Sequence, residues 1–293
     1  MPDRPAPPTD LRAALHGVRA LLLDLDGVIA LAGKPVEGSP GALVDLDRRG
    51  IPFRIVTNTS LVSRSTLARW GERMGAPVPP GRFQSALSAS AAYTARTYPG
   101  EALYVLGSED ALTEFDGQHL LSHEAASAPD ARVAAVVVGD SPEALTYDNV
   151  NRAFRLVRGG AELIGMHRNP WWLTPEGPTV DAGAYVVGLE FATGVAARIA
   201  GKPSRTCYGE GVLALRREVR VAGGPALHRH EIAMVGDDVR TDVRAAQRAG
   251  LRGVFVLSGK HGPADVEAAA TERGGRRPDA IAASLAEVVA ALD

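Results

Sequence analysis

Short apolar runs that end in polar residues recur along the chain, and the clearest is Leu21-Leu22-Leu23. An apolar run without polar alternation is typical of a parallel strand that is covered on both faces. This run passes into Asp24 and Asp26, and Gly27 follows. Alternate residues of a strand point to one side, so the pattern predicts that both carboxylates share one side of the strand's C-terminal end. Taken alone, the same pattern also fits a solvated acidic turn.

A helical pattern and a second apolar strand come next along the chain. Ser39-Pro40 favours a helix start, because serine caps helices and proline suits the first helical position. Ile51–Val56 predicts a strand, which ends in Thr57-Asn58. Strand, helix and strand in this order indicate a βαβ unit with a parallel sheet. Open sheets of this kind bind ligands at the carboxyl ends of their strands, so Thr57 and Asn58 are candidate ligand contacts.

A third strand with an acidic end is predicted far along the chain, at Glu231–Gly236, and it runs into Asp237. If this strand lies beside the first, Asp237 comes close to Asp24 and Asp26. Hard oxygen donors of this kind, with room for water, suit Mg²⁺. The sequence therefore predicts a magnesium site at the strand ends.

The middle of the chain has its own alternation of strands and helices, without acidic strand ends. The pattern predicts an inserted α/β domain at residues 99–196. The core domain is then discontinuous and consists of residues 1–98 and 197–293. The predicted fold class is α/β, with a parallel-sheet core and an inserted α/β domain.

The amino-acid composition and net charge limit the kinds of molecule that this protein is expected to bind. The chain has 293 residues, 45% hydrophobic and 23% charged, as in an ordinary soluble protein. A net charge of −2 suggests neither nucleic acid nor an anionic membrane as a partner. No apolar run approaches the roughly 18 residues needed to span a bilayer. Four prolines among the first eight residues predict a disordered lead-in rather than a signal peptide.

Cysteine and lysine are both rare in this sequence. Cys207 is the single cysteine, so the chain has no internal disulfide, and a reducing cytoplasm is the expected location. No base is evident near Cys207 in sequence, which favours a structural role over a nucleophilic one. Only Lys34, Lys202 and Lys260 are lysines, and the other basic residues are arginines. Lys202 lies beside Pro203 and Ser204, and its ammonium is a compact positive charge that suits the binding of a tetrahedral phosphoryl group. With the acids and the metal, Lys202 indicates phosphoryl transfer.

Over nearly its whole length the chain resembles the haloacid dehalogenase (HAD) superfamily of phosphatases. Four motifs in the same order carry the resemblance: Asp24–Val28, Thr57-Asn58, Gly201–Ser204 and Gly236–Asp242. The insert between the second and third motifs is similar to the type IIA (C2) cap. Asp181-Ala182-Gly183, Leu189–Ala192 and Gly236–Gly250 are similar to the same stretches of phospholysine phosphohistidine inorganic pyrophosphate phosphatase-like proteins.

The resemblance implies a Rossmann-like core with a C2 cap, and a Mg²⁺-dependent phosphatase that acts through an aspartyl-phosphate. By this resemblance Asp24 attacks the phosphoryl group, and Asp26 protonates the leaving oxygen and then activates water. The implied Mg²⁺ ligands are Asp24, Asp237 and the backbone carbonyl of Asp26. The implied contacts to the phosphoryl oxygens come from Thr57, Asn58 and Lys202.

Two further acids and one departure from the family pattern belong to the same motifs. Asp242 is expected to orient Lys202 or a metal-bound water. Asp238 is expected either to assist at the metal or to cap the helix that it opens. Thr59 follows Asn58, where the type IIA pattern commonly has a second asparagine, and this makes the substrate less certain.

Substrate specificity is expected to come from the insert. Its best candidate is the loop Met166–Trp172, with the side chains His167, Arg168, Trp171 and Trp172. These side chains either form an aromatic and basic lid over the leaving group or pack in the core of the insert, and the sequence leaves both readings open. Family members often dimerise through the insert, so a homodimer is also expected.

Three other functions remain to be weighed against a phosphatase for a small phosphorylated molecule. A catalytically inactive phosphate or metabolite sensor fits the fold, but it needs neither a nucleophile nor a paired acid. A dinucleotide-binding oxidoreductase is disfavoured, because no G-x-G-x-x-G follows the first strand. Dehalogenation is disfavoured, because that branch replaces the acids that are present here as Asp26 and Asp237.

Overall fold

The computed structural model describes residues 10–272 and 274–293, so the predicted N-terminal lead-in lies outside the described residues. The helices are α1 (Leu11–Leu15), α2 (Ser39–Arg48), α3 (Arg64–Arg73), α4 (Ala86–Thr97), α5 (Glu109–Leu112), α6 (Tyr147–Arg158), α7 (Ala182–Thr193), α8 (Arg205–Val221), α9 (Ala245–Arg248), α10 (Pro263–Thr271) and α11 (Leu285–Ala290). The strands are β1 (Ala20–Leu23), β2 (Ala30–Leu31), β3 (Lys34–Pro35), β4 (Phe53–Thr57), β5 (Phe83–Ser85), β6 (Ala102–Leu106), β7 (His119–Leu120), β8 (Ala135–Val138), β9 (Glu162–Gly165), β10 (Trp171–Thr174), β11 (Gly177–Val180), β12 (Arg198–Ile199), β13 (Ile232–Gly236), β14 (Arg252–Val256) and β15 (Ala280–Ala282).

The chain divides into two compact units. The first consists of Met1–Thr57, Ala68–Phe83 and Pro203–Asp293. The second consists of Asn58–Leu67 and Gln84–Lys202, so it contains the predicted insert together with shorter flanking segments. The domain limits drawn from the sequence stay a prediction.

The first unit is built on a sheet with the strand order β15-β14-β13-β1-β4-β5. Strand β1 pairs in parallel with β13 on one side and with β4 on the other. All residues of β1 and β13 are buried, as expected for a strand inside a parallel sheet. Because β13, β1 and β4 run in one direction, their carboxyl ends meet at one edge of the sheet. The predicted α/β class with a parallel sheet is confirmed.

Helix α8 supplies much of the core against this sheet. Its buried side chains recur every three to four residues, as an amphipathic helix requires: Cys207, Tyr208, Val212, Leu215 and Val219. They share a cluster with residues of β1 and β13. Burial of each large apolar side chain contributes roughly 1.5–3 kcal/mol to folding. The buried thiol of Cys207 therefore belongs to the core.

The second unit has its own parallel sheet, with the strand order β12-β9-β8-β6-β7. Residues of α6 and α7 form one cluster with side chains of this sheet. Residues of α4 form another cluster, which includes Leu103, Val137 and Ile164 of the sheet. None of the described helices in either unit has the length and hydropathy that a membrane crossing demands.

Several elements were not anticipated from the sequence. Strands β10 and β11 form an antiparallel hairpin where only a loop was expected. Both strands are partly or fully exposed, so they lack the alternation of buried and polar positions that reveals a strand. Helix α10 lies in a polar stretch, and only Val266 and Ala269 of this helix are buried, so it has little apolar pattern in the sequence.

Candidate active site

Asp24 lies at the carboxyl end of β1, in the middle of the large sheet. Its backbone N–H donates to Val235 O at 2.9 Å, which continues the pairing with β13 beyond the end of the strand. The Leu25 N–H donates to Asp24 Oδ1 at 2.7 Å. The residue is 7% exposed, so its carboxylate is held largely away from bulk water.

Asp237 lies at the carboxyl end of the neighbouring strand β13 and is 2% exposed. The Lys260 N–H, from the loop after β14, donates to Asp237 Oδ2 at 2.8 Å. This approach requires glycine at position 259, because a Cβ there would lie 2.1 Å from the same oxygen. The local sequence Ser258-Gly259-Lys260 therefore brings a backbone donor onto the carboxylate.

Asp242 is the third acid at this edge and is fully buried. It lies in a π-helical turn, Val239–Arg244, in which the N–H groups of Asp242 and Val243 both donate to Asp238 O. Turns of this type are frequent at functional sites. The Asp238 N–H donates to Asp242 Oδ2 at 3.2 Å.

Carboxylate oxygens of Asp24, Asp237 and Asp242 all lie within 4.8 Å of one another. Burial and the charge of Asp24 raise the pKa of Asp237 to about 6, against the lowering effects of Lys260 and His261. Buried like charges repel one another unless a cation joins them or a proton is taken up. Three hard oxygen donors, one after β1 and two after β13, fit a small divalent cation.

Asp26 and Asp238 lie outside this triad of carboxylates. Strand β1 ends at Leu23, and Asp26 is exposed in the turn that follows it. Its predicted role in proton transfer stays a prediction. Asp238 Oδ1 accepts from the N–H groups of Arg240 at 2.8 Å and Thr241 at 3.0 Å, which is the contact of a helix cap. Burial tends to raise the pKa of Asp238, but these donors and His261 hold it below its usual value.

The second and third motifs contribute neutral and basic groups. Thr57 ends β4 and is 1% exposed. In the second unit, the Lys202 N–H donates to Asn58 Oδ1 at 2.8 Å, and Asn58 Nδ2 donates to Lys202 O at 3.1 Å. Lys202 is only 3% exposed, so this charge, unlike the exposed Lys34, is held in the interior.

The four loop residues that were expected to govern specificity differ in their environments. His167 is 1% exposed and belongs to an internal hydrogen-bond network. Arg168 pairs with Glu190 at 2.5 Å. Trp171 is 39% exposed, and the buried Nε1 of Trp172 has no hydrogen-bond partner within the described residues. His167 is thus an interior residue, and the role of the others at a substrate stays a prediction.

Sequence reasoning missed the loop Ser258–His261. Its Lys260 N–H contacts Asp237, and His261 Nδ1 lies 3.1 Å from the backbone oxygen of Asp237. The signals were present, because Lys260 is one of three lysines and the loop follows a strand of the same sheet.

Comparison with known proteins places this geometry in a family. A family model described as HAD-hydrolase-like matches residues 199–288, and one described as haloacid dehalogenase-like hydrolase matches residues 21–120. Haloacid dehalogenase-like hydrolase domain-containing protein 2 of Bos taurus is 32% identical over 253 residues, covering 86% of this chain and 89% of that protein. The chain belongs to the haloacid dehalogenase-like hydrolase family.

This HAD-like hydrolase is also similar to phospholysine phosphohistidine inorganic pyrophosphate phosphatase of Homo sapiens, with 30% identity over 86% of this chain and 87% of that protein. Among solved structures, the 4-nitrophenylphosphatase of Thermotoga maritima matches with a TM-score of 0.79 and 27% identity, covering 96% of this chain and 99% of that chain. The resemblance to the HAD superfamily and the expectation of a hydrolase are confirmed.

Proposed function

We propose that this protein is a Mg²⁺-dependent phosphatase that hydrolyses a small phosphorylated molecule through an aspartyl-phosphate on Asp24. The buried triad of carboxylates carries the proposal, because a divalent cation would relieve its mutual repulsion. Phosphatase names among the relatives and structural neighbours support the reaction class.

The proposed metal ligands are Asp24, Asp237 and the backbone carbonyl of Asp26, with Asp242 orienting Lys202 or a metal-bound water. Bound Mg²⁺ supplies positive charge that neutralises the phosphoryl oxygens. Thr57 and Lys202 bind that phosphoryl group, and Asn58 positions Lys202. Asp238 supports this end of the sheet as a helix cap.

The covalent step forms a bond from a carboxylate oxygen of Asp24 to phosphorus and breaks the bond to the leaving atom, which is oxygen in an ester or pyrophosphate and nitrogen in a phosphoamidate. Asp26 gives its proton to that atom. In the second half, Asp26 takes a proton from water, the water oxygen attacks phosphorus, and inorganic phosphate leaves. Asp24 is then restored as a carboxylate.

The proposed substrate is a phosphate ester, a phosphoamidate or a pyrophosphate. The names of the relatives include phospholysine, phosphohistidine and inorganic pyrophosphate, which belong to the last two classes. The hairpin β10–β11 and Arg168 are the proposed determinants of the choice, since the exposed side chain of Trp171 offers an aromatic surface.

A catalytically inactive phosphate or metabolite sensor is the alternative function. A steady-state assay of the purified chain with sugar phosphates, nucleotides, pyridoxal phosphate, phospholysine and pyrophosphate separates the two. If the protein is a phosphatase, it releases inorganic phosphate in the presence of Mg²⁺, and the reaction stops when EDTA removes the metal. A chain that binds inorganic phosphate but releases none from any of these compounds is the sensor.

We also propose a homodimer formed through the second unit. The exposed apolar side chains Val187 and Phe191 lie four residues apart on α7, and Val195 follows the helix. Phe191 is 91% exposed, so nearly all of its apolar surface is available to a partner. Light scattering is expected to report a dimer for the natural chain and a monomer for Phe191→Glu. A natural chain that is monomeric at micromolar concentration contradicts this assembly.

The proposed location is the cytoplasm. Cys207 is the single cysteine and is buried, so the fold uses no disulfide of its own. Fractionation of the native host, with immunodetection of the chain in the cytoplasmic fraction, tests this location.

A further inference from the structure

We infer that Asn169 and His167 are positioning residues, which fix the backbone of Lys202 through the side chain of Asn58. The inference rests on the proposed phosphatase function, in which Lys202 binds the transferred phosphoryl group. All four residues belong to the second unit.

The contact between Asn58 and Lys202 is bidentate. Asn58 Oδ1 accepts from the Lys202 N–H at 2.8 Å, and Asn58 Nδ2 donates to Lys202 O at 3.1 Å. The amide therefore holds the peptide groups on both sides of the Lys202 Cα atom. Gly201 makes this approach possible, because a Cβ at that position would lie 2.5 Å from Asn58 Oδ1.

Asn169 completes the hydrogen bonding of this amide. Asn58 Nδ2 also donates to Asn169 Oδ1 at 3.1 Å. A carboxamide nitrogen has two hydrogens, and here one faces Lys202 O and the other faces Asn169 Oδ1. Asn169 thus fixes the rotation of the Asn58 side chain, and with it the hydrogen bonds that hold Lys202.

His167 holds Asn169 from the other side. The Asn169 N–H donates to His167 Nδ1 at 3.3 Å, so the proton of the neutral ring resides on Nε2. His167 Nε2 lies 3.0 Å from Ser60 Oγ and 3.4 Å from Asp181 Oδ1. Burial lowers the pKa of His167 to about 4, which keeps the ring neutral at physiological pH.

Ser60, His167 and Asp181 do not form a nucleophilic triad. In such a triad the serine and the acid contact opposite nitrogens of the ring. Here both lie next to Nε2, while Nδ1 accepts from the backbone. Ser60 Oγ also accepts from the Asp140 N–H at 2.8 Å. The geometry thus leaves His167 a structural task, which is to hold the Asn169 backbone.

For catalysis, these contacts matter because they place the flexible side chain of Lys202. Lysine has about 2 kcal/mol of rotamer entropy, so its ammonium is well placed only if its backbone is held. A displacement of about 1 Å at a reacting group can lower a rate by roughly 100-fold. Loss of the Asn169 acceptor is expected to weaken phosphate binding without any change in metal binding.

The test compares Asn169→Ala with Asn169→Asp and with a matched control in the same unit. Asp retains an oxygen acceptor for Asn58 Nδ2, whereas Ala removes it. The control is Asn149→Ala. Asn149 is also buried, donates to Ala144 O at 2.9 Å and lies 3.3 Å from His123 Nε2.

The measurements are the Ki of inorganic phosphate, KM and kcat for one ester, and the Kd of inorganic phosphate by calorimetry. Asn169→Ala is expected to raise Ki and Kd about five- to tenfold, as for the loss of one buried hydrogen bond. Asn169→Asp is expected to restore most of the affinity. Asn149→Ala is expected to leave it unchanged, although it destabilises the fold.

The outcomes separate this inference from the proposed function. If the natural chain is active and the two variants Asn169→Ala and Asn149→Ala bind phosphate with the same affinity, the positioning role is contradicted, but the proposed function is not. A natural chain that neither binds phosphate nor hydrolyses any ester overturns the proposed function, and the inference with it. Should Asn169→Ala not fold, Asn169→Ser serves instead, because its shorter side chain does not reach Asn58 Nδ2.

Discussion

Two clusters of buried polar residues in this molecule differ in their electrostatics: one brings like charges together, and the other pairs hydrogen-bond donors with acceptors. The acidic cluster consists of Asp24, Asp237 and Asp242 in the first unit. The amide cluster consists of Asn58, Asn169 and Lys202 in the second unit. In the acidic cluster like charges face one another, and the pKa of Asp237 rises to about 6 as a result of burial and of Asp24. In the amide cluster each acceptor meets a donor.

The difference shows which of the two clusters is stable without a ligand. A hydrogen-bonded amide network is complete without a ligand and holds its members in one arrangement. Buried carboxylates in mutual contact gain stability only when a cation or a proton arrives. The acidic cluster is therefore expected to respond to metal and pH, and the amide cluster to phosphate.

The largest expected effect is at Asp24. Asp24→Asn keeps the shape of the side chain but removes the proposed nucleophile, so we expect turnover to fall by at least about 10⁴-fold. The fold is expected to remain, because one negative charge of the acidic cluster is removed. Steady-state kinetics and circular dichroism test this, with the exposed Asp116→Asn as control. Appreciable turnover in Asp24→Asn, with deamidation excluded by mass spectrometry, contradicts a covalent role.

The next largest effect distinguishes the two clusters by the ligand to which each responds, Mg²⁺ or inorganic phosphate. Lys202→Met is expected to lower kcat/KM by about 10²- to 10³-fold, while Mg²⁺ still raises the melting temperature. Asp237→Asn is expected to lose the Mg²⁺ effect and to keep the response to inorganic phosphate. Thermal melts with each ligand measure both responses, and the exposed Lys34→Met is the control. If both variants lose the same response, the two clusters are not separate in function.

A smaller effect concerns pH in the metal-free protein. The folded pKa of Asp237, about 6, lies above its ordinary value of 3.8, so the folded state favours the protonated acid. The resulting destabilisation is full above pH 6 and shrinks as the pH falls towards 4. Between pH 7 and pH 5 the unfolding free energy is expected to rise by on the order of 1 kcal/mol from this group.

Denaturant titrations in EDTA at the two pH values measure this change. Asp140, whose pKa is also raised to about 6 by burial and by Asp181, contributes a similar trend in the second unit. Asp237→Asn retains Asp140, so the difference between this variant and the natural chain isolates Asp237. An identical pH response in both chains contradicts the assigned repulsion.

The smallest effect is on substrate preference. Arg168→Ala and Trp172→Phe are expected to change the order of KM values among phosphate esters, with unfolding free energies within about 1 kcal/mol of the natural chain. Phe keeps an aromatic ring at position 172 and removes the unpartnered Nε1 together with part of the indole ring system. An unchanged order in both variants removes this loop from the active site.

The sequence predicted the elements whose burial is uniform or regularly spaced. Strand β1 was recognised because its uninterrupted apolar run is typical of a strand that is buried on both faces. The resemblance of four motifs then singled out Asp24, Lys202 and Asp237, which are far apart along the chain. The structure places Asp237 beside Asp24, because β13 pairs with β1.

Other parts of the site depend on contacts that have no sequence pattern. The donor to Asp237 is the backbone N–H of Lys260, and any residue other than proline carries such a donor. The π-helical turn that holds Asp242 is a local deviation from the helix period. The side chain of Asn58 pairs with the Lys202 backbone, which only tertiary structure reveals, and its expected contact with phosphate stays a prediction.

The most direct test of the account is to trap the phosphorylated enzyme. Acid quench during turnover with Mg²⁺, followed by borohydride reduction and peptide mass spectrometry, converts an aspartyl-phosphate to homoserine. The account predicts homoserine at position 24, and none in EDTA or in Asp24→Asn. Turnover that proceeds with unmodified Asp24, or with modification of another residue, contradicts it.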